Sequence, residues 1–403
     1  MIKLTTLLLL LAVSTARAGT AELERITAVV QPYVDRHELA GAVTLITSKD
    51  KVLDLATIGY ADVKSAKPMQ PDTLFWIASM SKPITATALM MLVDEGKVRL
   101  DDPVDQYLPE FTPRIMSLTA DGAHVRLSRP QHPITLRRLL SHTSGLRATS
   151  TLEEPTRDTL PLAVRVESYA LEPLMFEPGE SYAYANAGIN TIGRVIEVVS
   201  GMRFEDFLQQ RLFTPLGMND TTFRPTEAQL QRLAKAYQEN AQDVGLQEVA
   251  IAKLRYPLSD SAHRYPVPAG GLFSTAADLA KFCQMLLNGG ALADRRYVSE
   301  TSLHEMTRNQ LSESTRQVIA AYRAPDGSDG YGLGWSTSSS LGTFGHGGAY
   351  GTDMNLDPRR GLAIIWLVQD AGYSEKVVKA ESDFMHLIAQ RLRDTAGKSG
   401  TSP

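Results

Sequence analysis

A single cysteine, Cys283, stands in a chain of 403 residues. An internal disulfide is therefore impossible, so a disulfide-framed secreted scaffold is excluded and stability has to come from a packed core. Cys283 lies in the apolar run 279–287 and reads as a buried small hydrophobe. One cysteine cannot build a zinc site, and the eight histidines include no pair at metal-ligand spacing, so no metal is expected. Basic blocks are missing too: 41 Lys and Arg face 45 Asp and Glu, a formal charge of −4, which argues against a nucleic-acid partner. The longest apolar runs, Leu7–Val13 and Leu362–Val368, have seven residues, whereas a membrane span needs about 20. A Gly-x-Ser-x-Gly elbow is lacking, which argues against an α/β-hydrolase. The glycine-rich stretch Gly330–Trp335 has neither a βαβ frame nor a Walker lysine, so nucleotide binding is not expected. Repeats, low-complexity blocks and Pro-, Gly- or Ser-rich linkers are likewise absent, and the 43% hydrophobic and 21% charged content is that of a globular chain.

The first 18 residues have the pattern of a secretory signal. Lys3 supplies the positive end, Leu7–Val13 the apolar core, and Ala16-Arg17-Ala18 a small-x-small cleavage site. This predicts a cleaved leader, a mature chain from about Gly19, and a secreted or periplasmic protein.

Periodicity predicts a helix over Ala21–Glu38, then strands over Gly41–Thr47 and Val52–Tyr60. Further helices are expected at Thr85–Glu95 (closed by Gly96), Leu136–Ser141 (capped by Thr135), Asn190–Val199 and Ala276–Leu287. The tail reads as strands Thr352–Leu356 and Leu362–Gln369 followed by helix Ser374–Arg393, with fraying from Lys398. Strands at both ends around a helix-rich middle predict an α+β fold. Its antiparallel sheet would come from about 21–78 and 294–395, flanked by helices, with a mostly helical subdomain over about 79–293.

Ser-x-x-Lys occurs twice. Ser48…Lys51 falls in a polar hairpin turn, where both residues are expected for solubility alone. Ser79…Lys82 follows the apolar Phe75–Ala78 and opens a helix. There the Lys82 amine and the Ser79 hydroxyl share a face, and free N–H groups and the positive dipole end favour an oxyanion. Taken alone, the pair also fits an N-cap serine followed by a surface lysine. Tyr184-Ala185-Asn186 is the only Tyr-x-Asn in the chain. In extended backbone its two side chains share one side, so a phenol can pass protons while the amide orients a substrate carbonyl; a half-buried Tyr with a capping Asn has the same pattern. His346-Gly347-Gly348 ends an apparent edge strand. Its glycines allow close approach and the Ala349 N–H is a candidate oxyanion donor, while a glycine-rich hairpin with a solvated His reads the same way. His142, beside Gly145, reads as a structural helix cap.

Together and in this order, the three elements resemble the serine β-lactamase and penicillin-binding superfamily, of which Ser-x-x-Lys with two partner motifs is a known signature. Tyr-Ala-Asn resembles the class C β-lactamase branch, which also holds serine esterases and D-amino-acid peptidases. The likeness extends to Pro178–Glu180, Leu139–Gly145, Gly270–Leu272 before the Ser274-Thr275 cap, and Tyr331–Trp335. It implies Ser79 as the acylated nucleophile, Lys82 as its proton acceptor assisted or replaced by Tyr184, and Asn186 on the substrate amide or the Lys82 amine. The N–H groups of Ser79 and Ala349 would form the oxyanion hole, with His346, Gly347 and Gly348 beside the substrate. No metal or organic cofactor is implied. The implied activity is hydrolysis of a small ester or amide through an acyl-enzyme. Alternatives are a D-aminoacyl peptidase or DD-carboxypeptidase, a weak β-lactamase, and a non-catalytic binder of cell-wall peptide. His346 departs from the Lys-Thr-Gly common in class C β-lactamases. With an ordinary imidazole pKa of about 6.5, it would pair with a substrate carboxylate only while protonated, so binding of anionic substrates would weaken as pH rises.

Overall fold

Strand β1 (Gly41–Ser48) is buried along nearly its whole length, because both of its faces are covered. Val43 and Leu45 point into one core and Ala42 and Ile46 into another, the alternation a pleated strand imposes. The computed structural model describes residues 28–112, 117–121, 124–240, 245–322 and 328–399. The leader-like residues 1–18 and the start of the helix expected from Ala21 lie outside them; helix α1 is described over 28–35.

The remaining strands of the central sheet are β2 (Val52–Asp62), β3 (Lys67–Pro68), β4 (Gly330–Tyr331), β5 (Ser336–Ser338), β6 (Thr343–Gly347), β7 (Asp353–Asp357) and β8 (Leu362–Leu367). They run in the order β4-β5-β6-β7-β8-β1-β2-β3. Neighbours are antiparallel, and β8 closes on β1 with Val43 opposite Leu367 and Leu45 opposite Ile365. The expected fold class holds: one large antiparallel sheet is made from both ends of the chain.

Helices α2 (Ser81–Asp94), α3 (Leu136–Leu140), α4 (Leu162–Ala170) and α5 (Asn186–Ser200) pack around one another, and α6 (Ala276–Leu287) lies on β1 and β8. Helix α6 buries Leu279, Phe282, Cys283 and Leu286 in the core that Val43 and Leu45 enter. On the opposite face, α1 and α7 (Glu375–Ser399) supply Val30, Tyr33, Val377 and Phe384.

Two helix starts differ from the sequence pattern. Helix α2 begins at Ser81 after a 3-10 turn over Ala78–Met80, and α5 begins at Asn186 rather than Asn190. The first turn of α5 contains Ala187 and Gly188, which bury without adding apolar periodicity. Asn186 is therefore a first-turn helical residue and not part of an extended pair with Tyr184. Helix α7 also runs past Arg393 to Ser399.

Buried ions tie together the two loops above this helical layer. Arg165 on α4 lies 3.4 Å from Glu153, and its guanidinium donates to Pro266 O (2.8 Å) and Leu160 O (3.0 Å). Arg264 pairs with Asp158 at 2.7 Å, and Asp158 also accepts the Arg255 N–H (2.8 Å). All four charged side chains are buried. Removing one partner would leave its counter-ion uncompensated, so Arg165→Ala should destabilise the protein by roughly 3–5 kcal/mol. Urea unfolding of the variant against the parent chain measures this; a loss below about 1 kcal/mol, the size of an exposed pair, would contradict the assignment.

Candidate active site

Ser79 is set by a tight reversal. The short strand Phe75–Trp76 pairs with Phe273–Ser274, after which Ala78 takes a φ of +44° before the turn enters α2. A non-glycine residue in that region costs of order 1–3 kcal/mol. Here the surroundings hold it: Ser81 Oγ donates to Ala78 O (2.7 Å), Leu272 N–H donates to Ser81 Oγ (3.2 Å), and Ile77 N–H donates to Leu272 O (3.0 Å). The result aims Ser79 at the first turn of α2, where Lys82 Nζ stands 2.9 Å from Ser79 Oγ.

Lys82 is fully buried and donates to Ala269 O at 2.8 Å. Burial, and then the positive charge of Arg157, hold its pKa well below the ordinary lysine range. The segment carrying Ala269 is pinned from several sides. Thr85 Oγ1 donates to Pro268 O (2.8 Å), Asn190 Oδ1 accepts the Ala269 N–H (3.0 Å), and Trp76 Nε1 donates to Gly270 O (2.8 Å). Gly193 of α5 lets this segment approach, since a Cβ there would stand 2.4 Å from Pro268 Cγ.

Tyr184 precedes α5. Lys82 Nζ lies 4.6 Å from the centre of its ring, and the nearby Ser79 hydroxyl offsets part of the effect of burial on its phenol. The side chain keeps 40% of its surface open, but its hydroxyl end is enclosed and burial raises its pKa. Asn186 lines the same cleft as Ser79. Ser79 Oγ thus stands beside an amine whose pKa burial holds down, with a phenol whose pKa burial raises close by.

His346 differs most from the sequence reading. Strand β6 is interior to the sheet, not an edge. Only its last residues run past β5, so His346 and Gly347 pair on the β7 side alone. The imidazole is 5% exposed, not solvated. Its Nδ1 lies 2.7 Å from Gly347 O and must carry the proton; its Nε2 then accepts the Tyr331 hydroxyl at 2.9 Å. Tyr331 meets a second imidazole, His142 Nε2, at 3.2 Å, while His142 Nδ1 accepts the Ala185 N–H, also at 3.2 Å. Each tautomer is set by a backbone group. Burial first, then Lys82, pushes His346 down to about 3, and burial likewise depresses His142. The expectation that a protonated His346 pairs with a substrate carboxylate is therefore corrected: the ring is neutral, with both nitrogens occupied. His142 does sit just past α3 with a φ of +60°, as a cap would. Its ring, 4.5 Å from that of Tyr184 centre to centre, is nevertheless the inner support of the site.

The cleft over Ser79 is lined by Trp76, Arg157, Asn186, Lys253 and Ala349 among others. Gly348 makes the approach of Ala349 possible, because a Cβ would stand 2.6 Å from Ile77 O and 2.1 Å from Thr352 Oγ1. The Ala349 N–H has no acceptor among the described residues, and beside the Ser79 N–H it can hold an oxyanion. Sequence reasoning missed Tyr331 and His142 as partners, and also Asn190, whose four-residue spacing from Asn186 on one helix face was the available signal. Arg157 and Lys253 belong to none of the motifs.

The chain matches the family described as Beta-lactamase over residues 26–386. It is 30% identical over 368 residues to penicillin-binding protein 4 of Amycolatopsis lactamdurans, covering 90% of this chain and 87% of that protein. Esterase EstB of Burkholderia gladioli is 29% identical over 382 residues, covering 86% and 90%. Among solved structures, EstCE1, a hydrolase with promiscuous acyltransferase activity, superposes with a TM-score of 0.73 at 26% identity, covering 90% of this chain and 99% of that one.

Two outcomes follow from this geometry. Unfolded histidine binds a proton near pH 6.5 and folded His346 only near 3. The unfolded state therefore holds more protons between these values, and stability falls as pH drops through that window, by up to about 1.4 kcal/mol per pH unit for each such group. In the folded protein, long-range 1H–15N NMR should show His346 as the Nδ1–H tautomer, unchanged from pH 5 to 8; a midpoint near 6.5 would contradict the buried chain. Separately, Gly348→Ala should push Ala349 away from Ser79 and lower kcat by about 10²–10³, the effect of losing one oxyanion donor. Steady-state kinetics on an activated ester measures it.

Proposed function

This chain belongs to the β-lactamase family and is a serine hydrolase, and on that premise we propose that it is an exported enzyme cleaving an ester or amide bond of a small acyl substrate through an acyl-enzyme on Ser79. The observation that carries the reading is Lys82 Nζ at 2.9 Å from Ser79 Oγ, with the Tyr184 ring stacked 4.6 Å from that amine and its phenol near the same serine. A neutral amine takes the serine proton as Oγ attacks the carbonyl carbon. The carbonyl electron pair moves onto oxygen, where the N–H groups of Ser79 and Ala349 hold it. As the tetrahedral intermediate collapses, Tyr184 gives its proton to the departing alcohol or amine and is restored from protonated Lys82. Water, deprotonated by the same pair, then releases the acid and regenerates Ser79.

Ester substrates are favoured by the likeness to EstB and EstCE1 and by a neutral imidazole where class C β-lactamases carry a charged lysine. The likeness to a penicillin-binding protein supports a second reading, a D-peptide or β-lactam substrate at the same serine. Export rests on the leader-like pattern of Lys3, Leu7–Val13 and Ala16-Arg17-Ala18.

A labelled fluorophosphonate should phosphonylate the parent chain and Ser48→Ala, with loss of fluoride, but not Ser79→Ala, which should unfold at the same temperature as the parent. Tyr184→Phe should lower kcat by about 10²–10⁴, the usual worth of a positioned proton donor. Turnover of p-nitrophenyl esters, D-alanyl peptides and a chromogenic cephalosporin ranks the substrate classes. Labelling that survives in Ser79→Ala would overturn the mechanism.

A further inference from the structure

The basic side chains around the cleft differ in how they are used. Arg147 pairs with Glu172, Arg165 with Glu153, Arg255 with Asp260 and Arg264 with Asp158. Arg157 and Lys253, which line the cleft beside Ser79, do not follow this pattern. Among the described residues, neither the Arg157 guanidinium nor the Lys253 ammonium has an ion-pair or hydrogen-bond partner, and Arg157 Nε is buried without an acceptor. The two residues are held together through the backbone, where Arg157 N–H donates to Lys253 O at 3.0 Å. No aspartate or glutamate lines the cleft. Glu153, whose carboxylate feels Arg157, is already held by the Ser150 N–H (3.0 Å) and by Arg165.

We propose that Arg157 and Lys253 form an anion-recognition subsite of the Ser79 cleft, so that the preferred substrate is an ester or amide bearing a carboxylate near the scissile bond. The proposal rests on the acyl-enzyme reading of Ser79 and names the substrate class of that site. A buried donor without an acceptor is costly unless a ligand supplies one. A guanidinium presents a rigid fork that matches a carboxylate in a bidentate pair, while a half-buried lysine at the rim adds a flexible second charge. No other basic side chain lines the cleft: Lys82 lies buried behind Ser79 with its pKa held down, and the two buried imidazoles are depressed and engaged with Tyr331.

Two esters of equal chain length test this, neutral p-nitrophenyl hexanoate and the anionic mono-p-nitrophenyl adipate. The readout is the ratio of their kcat/KM values in the full chain and in Arg157→Gln, Lys253→Gln and Arg157→Lys. Because Arg157 also bears on Lys82, the ratio is decisive rather than either rate. The parent chain should favour the adipate by about tenfold or more, and Arg157→Gln should remove about tenfold of that preference through the KM of the adipate. Lys253→Gln, a change at a half-buried side chain, should remove about threefold, Arg157→Lys should retain part, and added salt should shrink the parent's preference. Labelling by a neutral fluorophosphonate shows that each variant keeps a folded, reactive Ser79. A parent ratio near one, or a ratio unchanged in both Gln variants that still label, overturns the subsite. If the parent chain neither labels nor turns over either ester, the acyl-enzyme reading fails and takes the subsite with it.

Discussion

A lysine amine sealed from water, with no carboxylate to balance it, is the constraint around which the rest of this protein is arranged. Burial and then the charge of Arg157 hold the Lys82 pKa well below the ordinary lysine range, and the backbone acceptor of its amine is the Ala269 carbonyl. That carbonyl must then be held without water. Thr85 of α2, Asn190 of α5 and Trp76 of the short strand each bond the 268–270 segment, and Gly193 removes the side chain that would push it away. Helices α2 and α5, far apart in sequence, are locked through one peptide. The buried pairs of Arg165 and Arg264 fix the outer loops over the same segment.

The chain from Ala185 through His142, Tyr331 and His346 to Gly347 solves a related problem. Buried polar groups on the inner side of the site must be satisfied by one another. Backbone groups at both ends set the imidazole tautomers, and the Tyr331 hydroxyl, as acceptor from one ring and donor to the other, satisfies both. A lysine in place of His346 would bring a second cation close to Lys82. With histidine, the floor of the site is neutral and the charge is left to the walls.

Much of the fold was legible in the residues. Both faces of β1 are apolar, so its alternation reads as a buried strand, and the positions of the strands at the two chain ends imply the sheet that β8 and β1 complete. Ser79 and Lys82 stood out because three-residue spacing on a helix is a local geometric fact. Tyr184 and His346 were visible as rare triplets, and the structure sets their rings 6.2 Å apart, centre to centre. Less visible was the start of α5, since Ala187 and Gly188 bury without adding to apolar periodicity.

What the sequence determined by itself is the set of short-range relations: the strand alternation, the helix that presents Ser79 beside Lys82, and the glycines that let Ala349 approach. The tertiary structure decided the protonation states and the partners. His346 is neutral because Tyr331 and the buried sheet surround it, not because of its neighbours in sequence. His142 is part of the site because the fold carries it 189 residues in sequence to Tyr331. Arg157 stands unpaired in the cleft, while Arg165 and Arg264 are paired. A side chain's charge and tautomer depend on the dielectric and the donors that enclose it, and that enclosure exists only once the chain has folded.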